Sequence, residues 1–304
     1  MSAVAATLDA GASDAGAAAR DSQGWQARLE LSFEAEAGRT RLAHRRHHGP
    51  LLVQRVFYPE PTETLAATPG AQPAHAYLLH PPGGVVSGDQ LQLEVDVHRD
   101  AHALLTTPAA GKYYRRAGPD AGVARMTQTL RVSGGVLEWL PQENIFYPDC
   151  AVQLCTRVRL LDGARFIGWE ISCLGLPASQ ATLGDGTVRQ AFELWRGDAP
   201  LLLERLNIDR RALAARWGLA GHTALGTWLA FPATERALSL ARAAATAINC
   251  ADTRLACTLV DGALSCRGTA CRADRLKQAF IDLWRVLRPE LLGRAAIAPR
   301  IWAT

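Results

Sequence analysis

From Trp25 onward, apolar and polar residues alternate with a period of two in run after run. Trp25, Ala27, Leu29, Leu31 and Phe33 share one side of a first segment, and Gln26, Arg28, Glu30 and Ser32 share the other. In AVQLCTRVRL, residues 151–160, Val152, Leu154, Thr156, Val158 and Leu160 face one way while Gln153, Cys155, Arg157 and Arg159 face the other. The same rhythm predicts strands at 75–80, 91–98, 101–107, 122–132, 135–140, 143–147, 151–161, 164–174, 188–196 and 200–207. Residues 77–108, YLLHPPGGVVSGDQLQLEVDVHRDAHALLTTP, condense the pattern into apolar runs and an alternating strand joined by tight turns. Pro81 and Pro82 remove two backbone donors there, and Asp89 is placed to bond its own turn. Links such as SGG at 133–135 and LDGA at 161–164 are short, so consecutive strands are expected to be neighbours in space. No helical stretch of about 10–15 residues separates these strands, which argues against βαβ units. The expected fold is mainly β: a coiled, helix-like stack of many short strands, β-helical or layered, with two helices in the C-terminal region.

Helical spacing appears late. After Pro232, Thr234 is a candidate cap for a helix with Leu238, Ala241, Ala245 and Ile248 on one side. Strand character returns at 253–260 and 263–267, with Asp261-Gly262 as a hairpin turn. A last helix, expected to stop near Pro289, carries the apolar stripe Leu276, Phe280, Leu283, Trp284 and Leu287. Arg275, Lys277, Asp282, Arg285 and Arg288 are assigned to its other side.

Composition narrows the class. With 48% hydrophobic and 20% charged residues among 304, the chain is that of a folded globular protein. Residues 1–24 are Ala-, Gly-, Ser- and Asp-rich and read as a flexible tail, leaving 25–304 as a single domain with a turn-rich linker from Pro61 to Pro73. A net charge of +4 is too small to argue for nucleic acid. Seven cysteines without a CxxC pair, and no apolar run of membrane-spanning length, make a reduced cytoplasmic protein the expectation. GxSxG, HExxH and GxxxxGK[ST] are all missing, which leaves no seat for a serine nucleophile, a peptidase zinc or a nucleotide phosphate.

Three groups of residues remain that can carry chemistry. His44, His47 and His48 lie in HRRHH, and imidazole suits nickel, copper and zinc; a solvated basic loop is the plainer reading. Carboxylates embedded in the strand system, among them Asp89, Glu94, Asp96, Glu138, Glu143, Asp149, Glu170 and Glu204, either lie outside the sheets or line a wet passage. In TPAAGKYYRR, Lys112, Arg115 and Arg116 suit an anion or an acidic partner surface, with Tyr113 and Tyr114 as contact residues; a solvated loop at a strand end accounts for the stretch equally well.

GPLLVQRVFYPE, YLLHPPGGVVSGD, HALLTTPAAGKYYR, LEWLPQENIFY, ARFIGWEISCLG, FIDLWRVLRP and the terminal PRIWAT occur in an order that resembles the urease accessory protein family UreD, also called UreH, over residues 25–304. That resemblance implies a non-enzymatic nickel-delivery chaperone with a coiled β fold and an internal passage for the metal. It implies as partners UreF, the GTPase UreG and apo-urease, in a higher-order complex dimeric through UreF. No tightly bound cofactor is expected, only transient Ni²⁺. Asp89, Glu138, Glu143 and Glu170 are the candidates for lining the passage, His44, His47 and His48 for capturing metal. Lys112, Tyr113, Tyr114, Arg115, Arg285, Arg288 and Trp302 are the candidates for partner contact. The rival readings are a cytoplasmic β-fold hydrolase acting through carboxylates, and a pure interaction module without metal transfer.

Overall fold

The computed structural model describes residues 24–61 and 70–303. The tail expected at 1–24, except Gly24, and the middle of the linker lie outside the described residues. Strands are numbered along the chain. β1 (Gln26–Glu36), β2 (Arg39–His48), β5 (Gln90–Val97), β8 (Ala124–Ser133), β11 (Ala151–Leu161), β13 (Thr187–Arg196) and β14 (Ala199–Ile208) form one sheet, in the order β14-β13-β11-β8-β5-β1-β2. The second sheet runs through β16 (Thr253–Val260), β17 (Ala263–Ala270), β15 (Ala224–Phe231), β12 (Arg165–Leu174), β9 (Val136–Trp139), β6 (His102–Thr106), β4 (Ala74–Leu79) and β3 (Leu52–Val53). Two short strands, β7 (Gly111–Tyr113) and β10 (Asn144–Phe146), extend it beside β12.

The chain coils between the sheets. β5 leads into β6, β8 into β9 and β11 into β12, so each turn lays one strand in each layer. Strands one coil apart then pair in parallel: β1, β5, β8, β11 and β13 in the first sheet, and β4, β6, β9 and β12 in the second. The ten strands expected from residues 75–207 are all present, with ends within two residues of those expected. Their short links do make consecutive strands neighbours, but around a corner between layers rather than along a hydrogen-bonded ladder. At the SGG corner Gly134 has φ 65°. A Cβ on Gly135 would lie 2.4 Å from the His98 carbonyl oxygen, so the corner has room only for glycine.

The segment read as a basic loop is instead strand β2, paired antiparallel with β1 at the sheet edge. Its residues beyond Thr40 lack alternation because both faces are largely solvated, and they are held mainly by backbone pairing with β1, with Leu42 alone among the aliphatics packed against the core. A charged edge of this kind also discourages pairing with other chains. β15 and the short helix α1 (Arg210–Ala214) were not expected.

α2 (Glu235–Ile248) begins as predicted, with the Thr234 hydroxyl accepting from Ala237 N at 3.3 Å. α3 (Ala273–Leu292) does not stop at Pro289 but passes through it to Leu292. Gly293, at φ 69°, supplies the left-handed cap that ends it. Both helices cover the outer face of the second sheet, and α3 sits close because Gly226 and Gly268 leave space for Phe280 and Leu276. The first sheet's outer face has no long helix over it among the described residues and carries charges such as Arg28, Glu94, Arg131 and Arg205. Phe280 is fully buried at the helix–sheet contact. Phe280→Ala is expected to destabilise the protein by about 3–5 kcal/mol in urea unfolding, from lost burial and the cavity left behind.

Candidate functional site

Register decides which residues meet between the sheets. On the inner face of the first sheet, Leu31, Val95, Leu130, Val158 and Leu194 form one apolar row from strand to strand. The adjacent row starts apolar with Leu29 and Leu93, then becomes Gln128, Thr156, Phe192 and Glu204. In the second sheet, Glu170, Thr227 and Arg267 occupy neighbouring register positions on β12, β15 and β17. Side-chain contacts join these two sets into a polar seam through an otherwise apolar core. Gln190 Nε2 donates to Glu170 Oε2 at 2.8 Å, Ser172 Oγ donates to Gln190 Oε1 at 2.9 Å, and Arg267 Nε reaches Glu204 Oε1 at 3.2 Å.

Glu170 is the carboxyl at the centre of this seam. Burial pushes its pKa up to about 7, outweighing the hydrogen bonds from Thr156 and Gln190. The Thr156 hydroxyl lies between Glu170 Oε1 and Gln128 Oε1, the latter at 2.5 Å, with one proton for two acceptors. A protonated Glu170 satisfies the chain by donating to Thr156, which then donates to Gln128. On one side of Glu170 lies a cavity of about 370 Å³ between the layers, lined by Leu78, Leu93, Met126, Gln128 and Trp139. Its rim includes His80 and the exposed Pro81, Gly83 and Ala109. Burial holds the His80 imidazole below its ordinary pKa, opposed by the nearby Asp89. Beyond Gln190 lies a second space of about 10 Å³, roughly the room of one water, bordered by Glu204 and Thr227.

A separate charge cluster lies on the other face of the second sheet, under α3. Arg288 is fully buried and binds Glu138 through Nε (3.0 Å) and Nη2 (2.8 Å), and Glu60 through Nη2 (2.5 Å). Glu138 also meets His102 Nε2 at 2.7 Å and accepts from Trp284 Nε1 at 2.7 Å. His75 Nε2 is 3.2 Å from Glu60. Burial alone would raise the Glu138 pKa, but the Arg288 guanidinium and the His102 hydrogen bond hold it well below the usual carboxylate range. Burial keeps His102 below its ordinary value despite Glu138.

These placements revise several sequence expectations. Of the four carboxylates expected in a passage, Glu170 lies between the sheets. Glu138 points the opposite way, and its oxygens are committed to Arg288, His102 and Trp284. Asp89 is spent on backbone, accepting from Trp25 N at 2.8 Å and Val86 N at 2.9 Å. Glu143 faces α3, 3.3 Å from Lys277 Nζ. Glu94 and Asp96 lie on the outer face with Arg131. The histidines do not converge: on a strand, His44 and His48 are about 13 Å apart on one face and His47 is on the other. Among the described residues no three His, Cys, Asp or Glu side chains form a metal-binding group.

The partner-contact set divides as well. Arg288 is no docking residue, since it is sealed beneath α3. Tyr113 is buried and stacks on Phe146 at 5.2 Å. Trp302 is half-buried, 5.7 Å from both Trp169 and Trp284, and its Nε1 donates to Thr106 Oγ1 at 2.8 Å. Lys112 and Tyr114 are half-buried, whereas Arg115 and Arg285 are exposed and paired with Asp149 and Asp282. Sequence reasoning did not single out His80, Gln128, Thr156 or Gln190, because each acquires its neighbours from a strand one coil or one layer away.

Fold and seam together define a helix-braced, coiled two-sheet protein with a polar line through its interior. Comparison with known proteins takes the assignment further: the chain belongs to the family described as UreD urease accessory protein, which matches residues 26–303. It is 42% identical over 290 residues to the urease accessory protein UreD of Alcanivorax borkumensis, covering 93% of each chain. Against the UreD of Pseudomonas putida strain W619 it is 42% identical over 282 residues, 92% of this chain and 95% of that one. Against the Escherichia coli UreD it is 40% identical over 291 residues, 92% and 98%. The chain is therefore an accessory protein of urease maturation rather than an enzyme. No helix among the described residues is long and apolar enough to cross a membrane.

Glu138→Ala, which leaves Arg288 and Arg294 with Glu60 as the one remaining carboxylate of the cluster, is expected to cost about 3–5 kcal/mol in denaturant unfolding. For Glu170 the sign is opposite to that of a paired carboxylate. Its folded pKa of about 7 exceeds the ordinary 4.5, so its contribution is fully present below 4.5 and is lost as pH rises towards 7. Relative to Glu170→Gln, the wild type is expected to lose roughly 3 kcal/mol across that window, read as the difference between the two stability–pH curves.

Proposed function

We propose that this protein delivers Ni²⁺ to apo-urease, with the seam at Glu170 as the route of the cation through the molecule. The observation that carries this reading is the buried carboxyl of Glu170, set among neutral oxygen-bearing side chains between a solvent-reaching cavity and a second polar space. A delivery route needs donors that hold a divalent cation weakly, since a closed soft-ligand site would keep it. Oxygens of Glu170, Thr156 and Gln128 fit that requirement, and the proton on Glu170 can be exchanged for the metal. His80 at the rim offers an imidazole at the entrance.

The partners in this reading are apo-urease and a UreF–UreG module that supplies GTP hydrolysis, in a complex dimeric through UreF and working in the cytoplasm. The exposed Arg115 and Arg285, with Lys112, Tyr114 and Trp302 nearer the interior, are the remaining candidates for contact. Nickel is cargo here and not a resident cofactor.

The test is reconstitution of urease activation from apo-urease, UreF, UreG, GTP, bicarbonate and Ni²⁺, with and without this protein. Glu170→Gln is expected to slow activation several-fold while copurification with UreF and urease stays unchanged. Full activation by the Glu170→Gln/Glu204→Gln double variant would instead favour a pure interaction module.

A further inference from the structure

The seam ends at a cation of the protein's own. Arg267 on β17 is in register with Thr227 of β15, and Thr227 with Glu170 of β12. Two strand spacings therefore separate Arg267 from Glu170, about 10 Å. Its Nε lies 3.2 Å from Glu204 Oε1, and the two side chains differ sharply in exposure, 57% for Arg267 and 9% for Glu204. Glu204 Oε2 is buried without a hydrogen-bond partner among the described residues, and the Glu204 side chain borders the space of about 10 Å³ that also touches Gln190 and Thr227. A carboxylate oxygen buried without a donor is costly, so its persistence calls for an occupant.

We propose that Glu204 and Arg267 form an exchangeable gate, in which the guanidinium holds the place of a divalent cation at Glu204 and leaves it to solvent when the cargo arrives. This deepens the conduit reading and rests on it. The two ion pairs of the interior differ in a way that suits them to different tasks. Arg288 is fully buried between Glu60 and Glu138, and breaking such a pair leaves an uncompensated buried charge, so it is a fastener. The Arg267 head is more than half exposed, and a pair of that kind is weak because solvent screens it, so it opens readily. With the guanidinium withdrawn, Glu204 Oε2 and the Thr227 hydroxyl present oxygen donors beside Gln190, which already touches Glu170. Such a set suits a divalent cation held weakly.

Ni²⁺ binding to the full-length protein, measured by isothermal titration, tests the gate without reference to urease. Arg267→Gln is expected to tighten Ni²⁺ binding by up to about fivefold, because a competing positive charge is removed from the site. Arg267→Lys, which keeps the charge, stays close to wild type, and Arg267→Gln/Glu204→Gln loses the gain. Binding by Arg267→Gln that matches wild type overturns the gate, as does a gain that survives Glu204→Gln. A thermal melt of each variant identifies any that is misfolded; should Arg267→Gln misfold, Arg267→Ala takes its place with the same expected gain, and its failure to tighten Ni²⁺ binding sinks the proposal. The conduit fails separately, if Glu170→Gln activates urease at the wild-type rate; impaired activation by Glu170→Gln with unaltered Ni²⁺ binding by Arg267→Gln removes the gate alone.

Discussion

The Arg288 guanidinium, buried between Glu138 and Glu60, ties together three parts of the chain that are distant in sequence. Glu138 belongs to a central strand of the second sheet, Glu60 to the segment after β3, and Arg288 to the last helix. Its Nη1 also donates to the Ala295 carbonyl, which fixes the chain as it leaves the helix. Arg294 is buried nearby and reaches the carbonyls of Gly70 and Ala71 at 3.4 Å. Two carboxylates are thus matched by two guanidiniums, and burial keeps His102 below its ordinary pKa beside them. Burying so many charges is tolerable only because each has several partners in good geometry. Position along α3 follows from that geometry in a way that apolar contact by itself does not impose.

The interior between the sheets obeys a different rule. The row from Leu31 through Val95, Leu130 and Val158 to Leu194 is aliphatic throughout, and such a row stacks without regard to chemistry. The row holding Gln128, Thr156 and Glu204 interrupts this, and Glu170 faces it from the other layer. A buried carboxyl of this sort is held by neutral hydrogen-bonding groups instead of a cation, which is why its proton affinity rises while that of Glu138 falls. The two acids belong to adjacent strands of one sheet and both are buried. Their opposite behaviour comes from what shares the site: a guanidinium in one case, a hydroxyl and an amide in the other.

Much of the architecture was legible beforehand because the strands alternate so regularly and their links are so short. Leu91, Leu93, Val95 and Val97 announce a strand whatever surrounds them, and Thr234 announces a helix start. β2 was not legible, since an edge strand wetted on both faces has no reason to alternate. Arg288 was misplaced for a related reason: helical spacing assigns it to a polar side, and only the carboxylates beneath it explain why it turns inward. The seam was the least visible of all. Alternation tells which residues share a face but not which face is interior, and period-two reasoning cannot say that 128, 156 and 204 will lie side by side.

That last point bears on how the molecule comes into being. The seam draws on strands that begin with β8 and end with β17, and neighbouring members of a row are separated by whole coils of chain. Ordering such non-local pairings is slow compared with closing a helix or a hairpin. During synthesis, a ribosome-bound chain that has not yet emitted β17 lacks Arg267 and therefore has one end of the line undefined. The ion pair between Glu204 and Arg267 is consequently made only after β17 has emerged, so the far end of the seam is the last part of it to take its final chemistry.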